Sequence, residues 1–130
     1  MAERSQRILV VDDNAWLCDL LRLHLTDEGY EVEQAFDAID AGYSILRSPP
    51  DLLIVDLNMP YMSGQELVAT LVADNTVPSF PFIVLSGDEL RVDQVSPLGA
   101  AACLLKPVGK EHLLSAVDQA LNPVREVAAA

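Results

Sequence analysis

The residues of this sequence best suited to chemistry are polar side chains that follow apolar runs. Asp12 and Asp13 come directly after the run ILVV, and Asp56 closes the run LLIV. Two later apolar runs lead into Ser86 and Lys106. In a parallel sheet the carboxyl ends of the strands share one edge, and ligands bind at that edge. These five side chains are therefore predicted to meet, although they are far apart in sequence.

Three carboxylates at one edge would concentrate negative charge. Two carboxylates about 4 Å apart repel by roughly 4 kcal/mol at an effective dielectric constant of about 20. The one ammonium group of Lys106 cannot offset three acids, whereas Mg²⁺, or Mn²⁺ in its place, binds carboxylate oxygens readily. A carboxylate beside such an ion is a competent nucleophile toward phosphorus. A lysine ammonium and a serine hydroxyl are suited to position a transferred phosphoryl group, so the predicted chemistry is formation of an aspartyl-phosphate.

The apolar runs predict the strands that would carry these residues. They are short and continuous, which indicates burial on both faces of a parallel sheet. Predicted strands cover RILVVDD at 7–13, YEVEQA at 30–35, DLLIVD at 51–56, PFIVLSG at 81–87 and AACLLKP at 101–107.

Amphipathic segments between the strands predict helices. The first covers 14–28 and ends at Gly29, the second covers 37–46 with Asp37 as its N-cap, and the last is Lys110–Leu121. Ser63 and Glu66 form a capping-box pattern that opens another helix. The fold class is therefore α/β, a doubly wound parallel sheet with helices on both faces. Leucines at helical spacing predict the buried face of the first helix, namely Leu17, Leu20, Leu21 and Leu25.

Composition limits the class of protein further. The 130 residues suffice for one domain, here 1–130, with a core at 7–121 and a tail or linker stub at 122–130. A net charge of −12 argues against direct binding to nucleic acid or to an anionic membrane surface. Two isolated cysteines predict free thiols in a reducing compartment, and the N-terminus lacks the apolar core of a secretory signal. The predicted location is the cytoplasm.

The motifs VVDD, IVDLNMPYMSG, VLSG and LLKP, each ending a predicted strand and occurring in this order, resemble those of the receiver domain of two-component response regulators. The resemblance extends over 7–121 and implies a five-stranded flavodoxin-like sheet of order 2-1-3-4-5. It also implies a signalling domain that is not an enzyme beyond catalysing its own phosphorylation and dephosphorylation.

The resemblance assigns a role to each residue of the site. Asp56 is the phosphoacceptor, Lys106 pairs with the phosphoryl group, and Ser86 moves to hydrogen-bond it. The bond between Lys106 and Pro107 is cis in the family. The metal ligands implied are Asp12 (directly or through water), Asp13, Asp56 and the backbone carbonyl of Asn58.

The resemblance also implies partners and tuning positions. The phosphoryl donor is a histidine kinase or a histidine phosphotransfer domain, which docks on the first helix and the loop after the fifth strand, at Trp16, Pro107 and Val108. Asn58 and Asp88 occupy the positions that tune self-hydrolysis in the family. The downstream protein partner is not identified by the sequence.

The sequence departs from the family pattern in two places. Cys103 stands where receivers usually carry an aromatic switch residue, and a thiol cannot fill the volume of a ring. The segment 87–98 is short for a loop plus a helix and contains Pro97, so a short and irregular fourth helix is predicted. Both departures predict an atypical output face.

Other interpretations of the motifs remain open at this point. Asp12 or Asp13 alone is compatible with a helix N-cap, and Asp56 alone with the cap of a strand. Ser86 alone is compatible with a turn, and Lys106 alone with a surface position. Phosphatases of the haloacid-dehalogenase kind carry a second acid two residues after the nucleophile, where this chain has Asn58. A flavin site would need a phosphate-binding loop after the first strand, where this chain has acids. A receiver-like interaction module that phosphorylation does not regulate is the remaining alternative.

Overall fold

The fold is known from a computed structural model that describes residues 6–57, 80–87 and 100–122. The helices predicted from Ser63 and within 87–98 lie outside these ranges. The described elements are β1 (Arg7–Val11), α1 (Ala15–Asp27), β2 (Glu31–Ala35), α2 (Ala38–Arg47), β3 (Leu52–Asp56), β4 (Phe82–Ser86), β5 (Ala102–Leu105) and α3 (Lys110–Leu121).

The five strands form one parallel sheet in the order β2-β1-β3-β4-β5, as predicted. Every residue of the central strands β3 and β4 is buried, which explains their uninterrupted apolar sequence. The register pairs Val11 with Val55, and Asp56 with Leu85. Adjacent strands therefore end within about one residue of each other, and the residues that follow them share one edge.

Helices cover both faces of the sheet. One apolar cluster joins α2 to alternate strand residues such as Leu9 and Val55. The other joins α1 and α3 to the intervening residues, including Val10 and Ile54. The alternation of side chains along each strand thus supplies both layers of the core. No helix within the described ranges is long and apolar enough to cross a membrane.

The ends of the helices follow from local sequence. Asp37 caps α2, because its Oδ1 accepts the backbone N–H of Asp40 at 2.8 Å, as predicted. Gly29 follows α1 with a φ of +95°, a conformation that glycine adopts readily. The buried face of α1 consists of Cys18, Leu21 and Leu25, while Leu17 and Leu20 are half-buried.

Arg7 ties the amino-terminal edge of the sheet to α2. Its guanidinium donates to the Ser48 hydroxyl at 2.7 Å and to Glu33 Oε1 at 3.1 Å. The same Glu33 oxygen accepts the hydroxyl of Ser44 at 2.7 Å. Glu33 Oε2 lies 3.4 Å from Arg47, whose side chain is largely exposed. These contacts fix α2 against β1 and β2 at the edge opposite the acids.

Candidate functional site

The carboxyl edge of the sheet brings the predicted acids together. Asp12 and Asp13 follow β1, and Asp56 is the last residue of β3. One carboxylate oxygen from each of the three lies within 4.8 Å of the others. We call these three residues the acid cluster. Asp12 and Asp56 are buried, with 0% and 2% of their surface exposed, whereas Asp13 is exposed and opens the cluster to solvent.

Lys106 reaches this cluster from the residue directly after β5. Its Nζ lies 2.9 Å from Asp12 Oδ2 and 3.1 Å from Asp56 Oδ1. Burial alone would lower the pKa of Lys106, but the hydrogen bonds and charges of Asp12 and Asp56 outweigh it and raise the pKa above its usual value. Lys106 is therefore a firmly protonated cation that bridges the two buried carboxylates.

The backbone beside the cluster is held by the sheet and by α1. The Asp12 N–H donates to the Ala35 carbonyl at 3.1 Å, which extends the ladder between β1 and β2. Lys106 N–H donates to the Ser86 carbonyl at 2.8 Å, which does the same between β4 and β5. These bonds set the positions from which the two side chains reach each other across the sheet edge.

Two residues that the sequence patterns did not single out also hold Asp12. The backbone N–H of Asn14 donates to Asp12 Oδ1 at 2.9 Å, while the Asn14 side chain caps α1. The thiol of Cys18 donates to the Asp12 carbonyl at 3.3 Å, and burial followed by the charge of Asp12 raises the pKa of Cys18 to about 12. Cys18 is thus a neutral, buried neighbour of the cluster, and its thiol is not a thiolate ligand.

The donor set fits a divalent cation. Oxygen ligands of Mg²⁺ at about 2.1 Å from the ion lie up to about 4.2 Å from one another, so the cluster is close to a binding geometry. All the donors are hard carboxylate oxygens, which suit Mg²⁺ or Mn²⁺ better than a soft ion. Asn58, the predicted source of a carbonyl ligand, lies outside the described residues, as does Asp88.

The remaining predicted site residues lie at or near the same edge. Ser86 is the last residue of β4 and is fully buried. Cys103 lies on β5 beside Val84 and packs partly buried against the cluster that includes α2. The bond between Lys106 and Pro107 is cis.

The predicted docking residues differ in their exposure. Trp16, in the first turn of α1, is 71% exposed. Pro107 is exposed, whereas Val108 is half-buried against the apolar cluster of α1 and α3.

Comparisons with known proteins agree with this geometry. A family model described as the response regulator receiver domain matches residues 8–118. The transcriptional regulatory protein GlrR of Escherichia coli (strain K12) is 36% identical over 124 residues, which cover 94% of this chain and 28% of that protein. The chain thus spans about a quarter of the length of this relative.

Solved structures show the same fold. A CheY-like receiver domain protein from Methanospirillum hungatei JF-1 superimposes with a TM-score of 0.84 at 31% identity, covering 95% of this chain and 98% of that one. The chemotaxis protein CheY4 of Vibrio cholerae gives a TM-score of 0.83 at 29% identity, covering 91% of this chain and 100% of that one.

Proposed function

Since this chain belongs to the response regulator receiver family, a family of signalling modules rather than classical enzymes, we propose that it is a phosphoacceptor switch. Asp56 accepts a phosphoryl group from a phosphohistidine on a histidine kinase or a histidine phosphotransfer domain. The labile aspartyl-phosphate then changes the binding of a downstream protein. The observation that carries this proposal is the acid cluster bridged by Lys106 at 2.9 and 3.1 Å.

The side chains divide the proposed reaction among them. An Asp56 carboxylate oxygen attacks phosphorus and the P–N bond to the donor imidazole breaks. The imidazole takes up a proton from solvent water and leaves as a neutral group. Lys106 Nζ lies 3.1 Å from Asp56 Oδ1, which supports a role for it in pairing with the incoming phosphoryl oxygens. Ser86 ends the adjacent strand and would supply a hydroxyl donor to them. Positioning and charge neutralisation of this kind account for most catalysis of phosphoryl transfer.

Mg²⁺ is the cofactor that the donor set favours. Its ligands would be carboxylate oxygens of Asp12, Asp13 and Asp56 together with the Asn58 backbone carbonyl, and Mn²⁺ would serve in its place. When bound, the ion neutralises charge on the phosphoryl oxygens and on the acids.

The test is phosphorylation by a small donor, which needs no cognate kinase. The protein is incubated with Mg²⁺ and acetyl phosphate or phosphoramidate, and its intact mass is recorded. We expect a gain of about 80 Da, the mass of HPO₃, that requires the metal. Beryllofluoride binding is the second readout, because rapid hydrolysis would hide the adduct. Absence of both would favour the alternative of an interaction module that is not regulated by phosphorylation.

The lifetime of the phosphoryl group gives a first prediction. Asn58 and Asp88 are small and polar residue types, and at the tuning positions of the family such side chains are expected to admit and orient an attacking water. We expect decay in seconds to minutes, and we expect Asn58→Met to lengthen it by blocking the water. The loss of the mass adduct with time after removal of the donor measures this. A decay rate unchanged in Asn58→Met would contradict the assigned role.

Docking of the donor gives a second prediction. Trp16 is 71% exposed beside the acids, and exposed tryptophans are enriched among residues that dominate interfaces. Trp16→Ala should slow transfer from a phosphohistidine donor about tenfold or more and leave labelling by acetyl phosphate unchanged. Leu46→Ala, at a 71% exposed position on α2 and away from the predicted docking helix, is the matched control. If Trp16→Ala reduced both reactions equally, a folding defect would be the explanation.

The output face gives a third prediction. Cys103 is too small to replace an aromatic switch, so movement of Ser86 toward a phosphoryl group cannot be passed on through a ring. Changes in amide chemical shifts on adding beryllofluoride should be confined to the acid cluster, Ser86 and adjacent loops. Signalling as a phosphate-transfer intermediate, or through another face, fits this pattern. A concerted shift across residues 92–98, Cys103 and α3 would show that the common output face operates after all.

A further inference from the structure

The outward face of α2 carries an apolar stripe that the proposed phosphorylation chemistry does not use. Its members, which we call the α2 ridge, are Ile39, Tyr43 and Leu46 of α2 together with Phe36, which directly precedes the N-cap Asp37. Phe36, Ile39, Tyr43 and Leu46 are 42%, 57%, 67% and 71% exposed. The opposite face of α2, which includes Ala41 and Ile45, is buried against the sheet. An exposed apolar patch of a few hundred Å² beside charged residues is often an interaction surface. The ridge is therefore a candidate interaction surface.

Two charged residues flank the ridge on the same side. Asp40 and Arg47 are exposed and seven residues apart, which is about two helical turns. Arg47 is held only loosely, because its contact with Glu33 is 3.4 Å long and Arg7 and Ser44 already bind that carboxylate at 3.1 and 2.7 Å. Arg47 can exchange this contact for another acid without leaving Glu33 unpaired.

We propose that the α2 ridge packs against the α2 ridge of a second copy of this chain, with the two helices antiparallel. A two-fold axis near Tyr43 places the ridges face to face and brings Asp40 of each copy beside the partner's Arg47. A parallel arrangement would set the charged flank of one helix against the apolar flank of the other. The surface is therefore complementary to itself in one orientation, which an isologous interface requires.

The expected dimer is weak. The exposed parts of the four ridge side chains amount to roughly 500 Å² per copy, against about 800 Å² per partner in a standard stable interface. The net charge of −12 on each copy opposes association at low salt. At physiological ionic strength charges more than about 8 Å apart are largely screened, so the apolar ridge and the facing Asp40 and Arg47 decide the outcome.

Sedimentation equilibrium of the full chain over a wide range of concentrations, without any phosphoryl donor, tests the proposal. We expect reversible dimerisation that Tyr43→Asp abolishes. Asp40→Arg and Arg47→Asp should each weaken the association constant about tenfold or more, and the double exchange should restore it to within about threefold. Restored association in the double variant identifies antiparallel self-pairing, because it requires residue 40 of one copy to face residue 47 of the other.

Two controls keep the result interpretable. Leu23→Asp changes a 64% exposed apolar residue of α1 in the same way and should leave the dimer intact. Thermal melting of every variant, followed by circular dichroism, shows that the fold is retained. A protein that remains monomeric at all concentrations, a dimer lost in Leu23→Asp but kept in Tyr43→Asp, or a double exchange without restoration would overturn the proposal. None of these outcomes bears on phosphorylation of Asp56, which the mass adduct tests separately.

Discussion

Asp56→Asn is expected to abolish the mass adduct formed with acetyl phosphate and Mg²⁺. The amide has the size of the carboxylate but lacks the charged oxygen nucleophile, so no aspartyl-phosphate can form at this position. Intact mass spectrometry of the variant and of the wild-type protein, treated in parallel, measures the effect. Asp27→Asn, at an exposed position at the end of α1, is the matched control and should label normally. An adduct of undiminished yield in Asp56→Asn would place the phosphoacceptor elsewhere.

Asp56→Asn should also show that metal binding at the acid cluster and stability of the metal-free fold are affected differently. Removing one of the two buried carboxylates relieves their repulsion, although it also removes the attraction to Lys106 at 3.1 Å. We expect the metal-free variant to be as stable as wild type or more stable by about 1–3 kcal/mol. Mg²⁺ should raise the melting temperature of wild type more than that of Asp56→Asn, because at a given concentration a ligand that binds more tightly stabilises the folded state more. Equal shifts in the two proteins would show that the ion binds outside the acid cluster.

The fold was predictable from the sequence because its strands are short apolar runs with distinct ends. The leucine, isoleucine and valine runs at β1, β3 and β4 indicated strands buried on both faces, and the sheet has that arrangement. Asp37 and Gly29 interact only with residues close to them in sequence. Local rules therefore predicted the start of α2 and the end of α1 correctly. The order of the strands came from the family motifs, since periodicity does not specify which strands are neighbours.

The contacts that local rules could not show are the long-range ones. The first helix is capped by Asn14 and not by either preceding acid. Asp12 instead pairs with Lys106 from 94 residues away, a contact that no local rule indicates. The role of Cys18 was likewise not predicted. It lies in a leucine-rich helix, and its burial depends on the packing of α1 against the sheet. No sequence pattern distinguishes a core cysteine from one whose thiol supports the backbone of a site.

Replacing Lys106 is expected to have the largest effect on stability. Its ammonium group is the one cation that contacts Asp12 and Asp56 among the described residues, and those carboxylates are 0% and 2% exposed. Lys106→Met keeps most of the side-chain volume and removes the ammonium group that the two buried carboxylates share. Breaking a buried ion pair by removing one partner costs about 3–5 kcal/mol, and we expect a loss of this size in urea unfolding without metal. Labelling of Asp56 by acetyl phosphate should also fall steeply.

Mg²⁺ should restore part of the stability lost in Lys106→Met. A divalent cation in the acid cluster supplies the missing positive charge, so the difference in unfolding free energy from wild type should shrink as the metal concentration rises. Lys110→Met is the matched control, because Lys110 is exposed at the start of α3 and makes no salt bridge in the part of the chain that the structure describes. A similar loss in Lys110→Met would mean that overall charge, and not the bridge, is responsible.

The effect of pH distinguishes a charged bridge from simple packing by the Lys106 side chain. Burial lowers the pKa of Lys106, but the hydrogen bonds and charges of Asp12 and Asp56 raise it above its usual 10.5 in the folded protein. A group whose pKa is higher when folded stabilises the protein fully below its unfolded pKa, and the contribution is lost as pH rises through the folded pKa. The free-energy difference between wild type and Lys106→Met should therefore be level from neutral pH to about 10 and decline above that. Urea unfolding of both proteins at a series of pH values measures it, and a difference that stayed constant well above the folded pKa would assign the effect to packing alone.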